Sequence, residues 1–278
     1  MTTAFVLGGG GVLGDAEAGQ ALALSEAGIV PDVICGTSIG AINGAYIAMD
    51  PSPDGIEKLA DLWMTLTDDA VFGGSLRERL ANLARTRTAL HDPSRLRNLI
   101  ANALPDRFED LKVPFHCVAA CVETASATWF STGELVDPVL ASCAVPGLFP
   151  TVVLNDKHYM DGGLVHSIPL GRAVELGATT IYVLQVGRME QPLTPPVTPL
   201  GVGVVAFEIA RRHRFVEELA RARAGVEVHV LPAGPDASPS PNDARKQLAY
   251  RSDGTASTDR IEAARWATAA YLVSPNPR

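Results

Sequence analysis

The feature that most constrains the fold is the stretch Val33-Ile34-Cys35-Gly36-Thr37-Ser38-Ile39-Gly40-Ala41, in which an apolar run ends in two glycines that flank a serine. This Gly-x-Ser-x-Gly pattern is typical of a strand, a sharp turn and a helix that together raise a serine hydroxyl above the edge of a sheet. Side chains at Gly36 and Gly40 would collide with the neighbouring strand or helix. An ordinary turn of an α/β protein can carry the same pattern, so the stretch alone leaves both interpretations open.

A glycine-rich loop follows the first apolar run, residues 4–7, and reads Gly8-Gly9-Gly10-Gly11-Val12-Leu13-Gly14. Its spacing matches a dinucleotide-binding fingerprint, which also needs an acidic residue at the end of the next strand. The Gly-Thr-Ser-Ile-Gly turn stands at that position instead. We therefore favour an oxyanion loop, in which the backbone N–H groups of Gly9, Gly10 and Gly11 converge on one oxygen beside Ser38.

Alternating apolar runs and helical patterns predict one α/β domain over residues 1–278, built around a mostly parallel sheet. The motif-bearing core covers about 4–186, a helical excursion about 56–104, and further helices and a strand about 204–273. The predicted strands are 4–7, the run into Ser38, 113–122, 127–131, 152–154, 158–160, 180–186 and 226–231. The other predicted helices are 15–27, 39–49, 136–143, 169–176, 204–224 and 256–272, with a surface loop over 188–203.

Composition excludes several classes of protein. A hydrophobic content of 47% with 19% charged residues fits a globular chain with a sizeable core. The net charge of −8 argues against a nucleic-acid binder. No apolar run is long enough to cross a bilayer, and the first residues lack the features of a secretion signal, which predicts a cytoplasmic protein. The four cysteines show no metal-binding spacing and are predicted to be buried thiols.

A nucleophilic serine needs a base, and none of the six histidines stands in a sequence setting that demands catalysis. His158 and His166 flank the more informative motif, Asp161-Gly162-Gly163. Asp161 ends a predicted hairpin strand, and the two glycines allow a tight turn and the close approach of other backbone. Taken alone, an Asp-Gly-Gly sequence is usually only a turn.

Together, four blocks resemble the patatin-like phospholipase family of serine lipid acyl hydrolases. The blocks are Gly9–Gly14, Gly36–Gly40, Ala141–Pro150 and Asp161–Gly163. The resemblance implies a three-layer α/β/α fold, and a dyad of Ser38 as nucleophile and Asp161 as base. It also implies an oxyanion hole from the backbone of Gly9 to Gly11, a lipid ester or phospholipid substrate, and no metal or organic cofactor. The remaining motif glycines are Gly14, Gly36, Gly40, Gly162 and Gly163.

One residue departs from the family pattern. Many members carry arginine or lysine before the last glycine of the first block, where this chain has Leu13. The change removes a positive charge near the acyl site and leaves the backbone donors intact. An aspartate base also needs desolvation to raise its basicity, and we expect the apolar loop Val145–Pro150 to provide a dry wall.

Three further interpretations stay open at this stage. A triad-type α/β-hydrolase would use His166 or His229 as base, although its serine turn usually comes deeper in the chain. A lipid- or nucleotide-binding protein could use the same fold without catalysis. The arginines of residues 77–97 and 211–214, with Trp63 and the leucine faces, fit either a solvated basic face or peripheral contact with a membrane.

Overall fold

The computed structural model describes residues 1–65, 88–186, 192–222, 225–234 and 254–274. The strands are β1 (Thr3–Leu7), β2 (Val33–Gly36), β3 (Phe115–Cys121), β4 (Ser126–Phe130), β5 (Val152–Leu154), β6 (Lys157–Asp161), β7 (Thr180–Leu184) and β8 (Glu227–Val230). The α-helices are α1 (Asp15–Glu26), α2 (Ile39–Met49), α3 (Pro53–Thr65), α4 (Ser94–Ala103), α5 (Val136–Ser142), α6 (Leu170–Glu175), α7 (Pro199–Ala222) and α8 (Gly254–Val273).

The strands form one eight-stranded sheet in the order β5-β6-β3-β2-β1-β7-β8, and β4 pairs with β3. The strands from β3 to β8 in this order run parallel, whereas β4, β5 and β6 pair antiparallel. Leu7 pairs with Gly36 on one side and with Leu184 on the other. The glycine loop after β1 and the serine turn after β2 therefore leave the same edge of the sheet at the same level.

Side chains of the central strands alternate between two helical layers, as the period of a strand requires. Phe5 and Leu7 of β1 are fully buried in a core shared with α1, α2 and α3. Ala4 and Val6 point to the opposite face, where α6 and α7 contribute a second core that includes Phe215. The predicted three-layer α/β/α class with a mostly parallel sheet is confirmed.

The predicted order of elements is confirmed within the described residues, with one clear error. Residues 199–203 were expected in a loop, but α7 begins at Pro199. The Thr198 hydroxyl accepts a hydrogen bond from the Gly201 N–H at 3.0 Å, as a helix cap does, and proline is favoured in the first turn. Gly201 and Gly203 favoured a loop in the sequence analysis, so the helix-start signals at Thr198 and Pro199 were overlooked. Residues 66–87 of the predicted helical excursion, 56–104, lie outside the described residues.

The C-terminal helix α8 packs directly on α1. Arg260 of α8 donates to both carboxylate oxygens of Asp15, and both side chains are buried. A Cβ at Gly19 would lie 2.1 Å from the carbonyl oxygen of Ile261, so the two helix backbones nearly touch. Gln20 donates to the carbonyl oxygen of Gln185 at 3.0 Å. These contacts hold the helix that follows the glycine loop.

None of the helices in the described ranges is both long enough and apolar enough to cross a membrane.

Candidate active site

The turn between β2 and α2 holds Ser38 in a strained conformation. Its φ of 55° and ψ of −125° lie where side chains are rarely found. A Cβ at Gly36 would lie 2.3 Å from the carbonyl oxygen of Gly40, and one at Gly40 would lie 2.6 Å from the carbonyl of Leu7. Both predicted collisions are therefore present, because the turn is too tight for any side chain at its two ends.

Ser38 and Asp161 meet above the edge of the sheet. The Ser38 hydroxyl donates a hydrogen bond of 2.6 Å to Oδ2 of Asp161, and the other carboxylate oxygen accepts the Gly163 N–H at 2.7 Å. Ser38 is 7% exposed and Asp161 is 5% exposed. A Cβ at Gly162 would lie 2.2 Å from the carbonyl oxygen of Val118, so the first motif glycine lets the turn press against β3.

The environment of Asp161 makes its carboxylate a stronger base. Burial raises the pKa of Asp161 to about 6, against the opposing effects of the Ser38 hydroxyl, the Gly163 N–H and the charge of Arg211. A base is most effective when its pKa lies near the working pH. Desolvation thus brings the pKa of Asp161 closer to neutral pH than that of an ordinary aspartate, as the sequence argument required.

The third sequence block holds both members of the pair. The Ser38 N–H donates to Oγ of Ser142 at 2.9 Å, and the Asp161 N–H donates to the carbonyl oxygen of Ala144 at 2.9 Å. Ser142 is fully buried at the end of α5. Sequence reasoning missed Ser142, although it lies inside a recognised block. A buried serine at a helix end was the available signal, but its partner is 104 residues away.

The loop Val145–Pro150, predicted as a dry wall, mainly faces elsewhere. Pro146 and Gly147 are exposed, and the Phe149 ring lies 5.9 Å from the ring of His91. Closer to the dyad, a Cβ at Gly163 would lie 3.4 Å from the Phe207 ring of α7. The side of Asp161 near Gly163 is therefore covered by α7, which lies far along the chain.

The glycine loop lies directly against the serine turn. A Cβ at Gly9 would lie 3.3 Å from Cβ of Ser38, and the Gly9 N–H donates to the carbonyl oxygen of Ser167 at 2.8 Å. Gly11 has a φ of +62°, which favours glycine. Within the described part of the chain, neither Gly10 nor Gly11 has a protein acceptor for its N–H. The Gly9 N–H thus already has an acceptor, whereas the N–H groups of Gly10 and Gly11 remain available to bind an oxygen.

Residues behind the loop form a buried polar network. The Asn43 side chain donates to Glu17 at 2.8 Å and to the carbonyl oxygen of Gly14 at 2.9 Å, and Trp63 donates to Asn43 at 2.9 Å. Burial raises the pKa of Glu17 well above its ordinary value, against the opposing effect of the Asn43 hydrogen bond. Trp63 is 7% exposed, so the prediction that it belongs to a membrane-facing surface was wrong.

None of the histidines has a recorded contact with Ser38 in the described residues. The His158 Nδ1 lies 2.6 Å from Glu123, the His166 Nδ1 lies 3.0 Å from Glu218, and the His229 Nδ1 lies 3.1 Å from the Tyr271 hydroxyl. His91 packs against Phe149, His116 lies on β3, and His213 is on the exposed side of α7. The candidate triad bases thus have other partners.

The buried positive charge near the site comes from α7. Arg211 is 8% exposed and pairs with Glu208 at 3.3 Å, and its charge lowers the pKa of Asp161. Leu13, in the position where many family members carry a basic residue, is fully buried. The expectation that Arg211 faces a membrane was wrong, because the side chain is inside the protein. The arginines at 77, 79, 85 and 87 lie outside the described residues.

All four cysteines are buried free thiols, as predicted. Burial raises the pKa of Cys35 to about 12, so this thiol is unreactive at neutral pH. In the ranges that the structure describes, no three histidine, cysteine, aspartate or glutamate side chains come together as a metal site.

The family model described as patatin-like phospholipase matches residues 5–174 of this chain. Patatin-like phospholipase domain-containing protein 7 of Rattus norvegicus is 32% identical over 191 residues, which cover 68% of this chain and 14% of the relative. Protein 6 of the same name from Homo sapiens is 31% identical over 193 residues, covering 68% of this chain and 14% of the relative. Lysophospholipase nte1 of Aspergillus terreus is 30% identical over 199 residues, covering 71% and 12% respectively.

Among solved structures, VipD from Legionella pneumophila is 14% identical, with a TM-score of 0.49 over 98% of this chain and 67% of that one. The matched family model covers more than half of the chain, from β1 to α6. The chain belongs to the patatin-like phospholipase family. It spans about 14% of the length of the two curated mammalian relatives.

Proposed function

We propose that this chain is a serine lipid acyl hydrolase, of phospholipase A or esterase type, which cleaves carboxylic esters of lipids through an acyl-enzyme on Ser38. The observation that carries the proposal is the 2.6 Å hydrogen bond from the Ser38 hydroxyl to a buried carboxylate of Asp161. A nucleophile and a base within hydrogen-bond reach are the minimum for covalent acyl transfer. Family membership and the printed name lysophospholipase of one relative support a lipid ester as substrate.

In the first half of the reaction, Oγ of Ser38 attacks the ester carbonyl carbon while its proton passes to Oδ2 of Asp161. The carbonyl oxygen becomes a tetrahedral oxyanion. When the intermediate collapses, the bond from carbon to the alcohol oxygen breaks and the leaving alcohol takes the proton from Asp161. Ser38 is then esterified by the acyl group, and Asp161 is again an ionised carboxylate.

In the second half, water replaces the alcohol. The water oxygen attacks the acyl carbon while Asp161 accepts a proton from that water. When the second tetrahedral intermediate collapses, Oγ of Ser38 takes the proton from Asp161. The free fatty acid leaves. Gly163 keeps Asp161 oriented throughout, because its N–H binds the carboxylate oxygen that does not receive the proton.

We assign the oxyanion donors to Gly10 and Gly11. The predicted set also contained Gly9, whose N–H is already bonded to the carbonyl oxygen of Ser167. That bond fixes the start of the loop against Ser38 and gives Gly9 a positioning role. One donor of this kind contributes about 2.7–4 kcal/mol to transition-state stabilisation.

Two alternatives are kept for the test. A triad-type esterase would need a histidine beside Ser38, and the two candidates, His166 and His229, contact Glu218 and Tyr271 instead. A catalytically weak lipid-binding protein would keep the fold and lose the chemistry. The short Ser38–Asp161 bond and the raised pKa of Asp161 favour an active dyad over both.

Labelling by a fluorophosphonate probe, together with release of fatty acid from a lysophospholipid and from a p-nitrophenyl ester, tests the proposal. We expect the wild type to be labelled and active, Ser38→Ala to be neither, and Asp161→Asn to lose at least about a thousandfold in kcat. Replacement of His158, His166 or His229 by alanine should change kcat by less than about tenfold. A thousandfold loss at one histidine would establish the triad instead.

Asp156→Asn is a matched control for Asp161→Asn, since Asp156 is exposed in the turn of the same hairpin. It has a φ of 60°, a conformation that asparagine also adopts readily. We expect this control to keep wild-type turnover. Near-native turnover in Ser38→Ala, or absence of labelling in a folded wild type, would overturn the proposed function.

A further inference from the structure

One side of α7 is an exposed apolar stripe. Val202, Ile209 and Val216 follow one another at intervals of seven residues, which is close to two helical turns. They are 54%, 55% and 60% exposed. The stripe runs about 21 Å along the helix. The opposite side of α7 is anchored in the core by Phe215 and Ala222, so the stripe is not the packing face of this helix.

The residues between the three large side chains are compatible with a continuous surface. Ala206, His213 and Ala220 lie on the same side of α7 by helical spacing, and all three are exposed. Scattered apolar residues on a surface are normal, whereas an aligned series marks a contact surface. We refer to Val202, Ile209 and Val216 with these three residues as the α7 stripe.

The α7 stripe borders a cavity that adjoins the proposed catalytic pair. The cavity has a volume of about 520 Å³, and its walls include Gly163 and Ser167 on one side and Ile209 and His213 on the other. Gly163 donates to Asp161, and Ser167 binds Gly9 beside Ser38. Leu164, which is 43% exposed, adds an apolar residue to the cavity wall. The cavity thus lies between the stripe and two residues, Gly163 and Ser167, that contact the proposed catalytic pair or its glycine loop.

The charged side chains of α7 nearly balance. Arg211 and Arg212 pair with Glu208, Arg214 pairs with Glu218 at 3.1 Å, and Arg221 pairs with Glu217 at 3.8 Å, which gives four positive and three negative charges. The chain as a whole carries −8. A negatively charged protein whose apolar surface carries little local charge is repelled by an anionic bilayer and is compatible with a zwitterionic one.

We propose that the α7 stripe is the surface by which this protein docks on a zwitterionic phospholipid interface, such as phosphatidylcholine. The inference rests on the proposed function, because docking serves a lipid hydrolase that must take its substrate out of an interface. Docked in this way, the stripe sits in the headgroup and upper acyl region, and the cavity faces the lipid. A lipid then reaches the region of Ser38 past Ile209 and Leu164.

This surface differs from the one predicted from sequence. The sequence left open a membrane surface formed by the arginines of 77–97 and 211–214 with Trp63 and the leucine faces, but Trp63 and Arg211 are buried and Arg214 is paired with Glu218. The α7 stripe consists mainly of valine, isoleucine and alanine side chains, so its binding to lipid would depend on apolar contact. Its dependence on salt is therefore expected to be weak.

Flotation of the full chain with phosphatidylcholine vesicles tests the proposal without using turnover. We expect the wild type to float, and the double variant Val202→Asp, Val216→Asp to partition at least about tenfold less, because two exposed valines that would enter the lipid on docking are replaced by charges. Ile209→Gln, a milder change, is expected to weaken partitioning in the same direction. Added phosphatidylglycerol or a rise in salt from low to physiological strength should alter wild-type binding by less than about twofold.

Val30→Asp and Val153→Asp are matched controls, since these valines are 56% and 57% exposed and lie outside α7. We expect both to float like the wild type. Far-ultraviolet circular dichroism and thermal unfolding of every variant separate loss of binding from loss of fold, and Ile209→Gln supplies the answer if the double variant does not fold.

Four results would overturn the proposal. They are a folded wild type that stays in the soluble fraction, controls that lose as much binding as the stripe variants, stripe variants that float normally, and binding that requires anionic lipid. A wild-type dimer that the stripe variants convert to monomer, measured by light scattering, would assign the stripe to a second copy. Absence of fluorophosphonate labelling with normal flotation would remove the proposed function and leave the docking surface standing.

Discussion

Ser38 Oγ and Asp161 Oδ2 lie 2.6 Å apart although 123 residues separate them in the chain. Each is held by a separate backbone bond to one short stretch, the Ser38 N–H by Ser142 and the Asp161 N–H by Ala144. In the proposed dyad no third side chain orients the base, so the geometry depends on such fixed contacts. The end of α5 therefore fixes both members of the pair.

The pH dependence of the reaction is expected to report Asp161. Its pKa of about 6 lies above the ordinary value of 3.8, and the ionised form is the one that accepts the Ser38 proton. We expect kcat/KM to be level above pH 7 and to fall about tenfold per pH unit below 6. The measurement is the rate of fatty-acid release in a pH series.

The same profile in His166→Asn would exclude His166 as the titrating group, since that variant keeps the carboxylate and removes the imidazole. A profile that stays level down to pH 4.5 would contradict the desolvated base. It would mean that Asp161 titrates as it does in water.

Gly10→Ala is expected to damage the loop for a purely steric reason. A Cβ at Gly10 would lie 2.5 Å from both methyl groups of Val186, while its φ of −164° is open to any residue. We expect kcat to fall by about tenfold or more, and the double variant Gly10→Ala, Val186→Ala to recover most of it. Turnover measurements on the two single variants and the double variant complete the cycle.

Gly11→Ala provides the contrast. Nothing lies within 4 Å of a Cβ there, but the φ of +62° costs about 1–2 kcal/mol for an alanine. Val186→Ala should therefore not rescue Gly11→Ala. Equal rescue of both glycine variants would show that the loop adapts as a whole and would contradict the steric account.

Ser142→Ala tests the backbone anchor of the serine turn. The change leaves the buried N–H of Ser38 without its acceptor, at an expected cost of about 1–3 kcal/mol in unfolding free energy. Because the strained turn is then less well fixed, kcat should fall about tenfold to a hundredfold while KM changes little. Urea unfolding and steady-state kinetics supply the two measurements.

Ser126→Ala is the control, because Ser126 is exposed on β4 and its hydroxyl contacts only the neighbouring Thr124 in the described residues. We expect it to match the wild type in both measurements. A folded, fully active Ser142→Ala would show that the turn keeps its geometry without this bond.

Arg260→Leu tests whether α8 is part of the same folding unit as the site. It leaves the carboxylate of Asp15 buried without its partner, and breaking such a pair costs about 3–5 kcal/mol. Arg97→Gln is the control, since Arg97 pairs with Asp137 at 2.9 Å on the surface, where pairs contribute about 0–1 kcal/mol. Urea unfolding measures both.

A single cooperative transition shifted to lower urea in Arg260→Leu would support one domain that includes α8. Separate loss of the α8 signal, with the remaining transition unchanged, would divide the chain into two units.

Sequence patterns alone were sufficient for the features that depend on local sterics and on period. The glycines at 36 and 40 were predicted from the sharpness of a strand-to-helix turn, and the structure shows the collisions that exclude side chains there. The alternation of apolar runs with helical patterns was sufficient to predict a mostly parallel sheet, whereas the three layers were implied by the family resemblance. These are properties of a few neighbouring residues.

Only the tertiary structure decided which groups meet. Ser142 as the anchor of Ser38, the commitment of the Gly9 N–H to Ser167, and the burial of Trp63 and Arg211 all depend on segments far apart in the chain. The α7 stripe is of the same kind, because spacing marks an apolar side of a helix but cannot tell whether another element covers it. Long-range packing fixes such contacts, and it is what brings the serine of one turn to the aspartate of another.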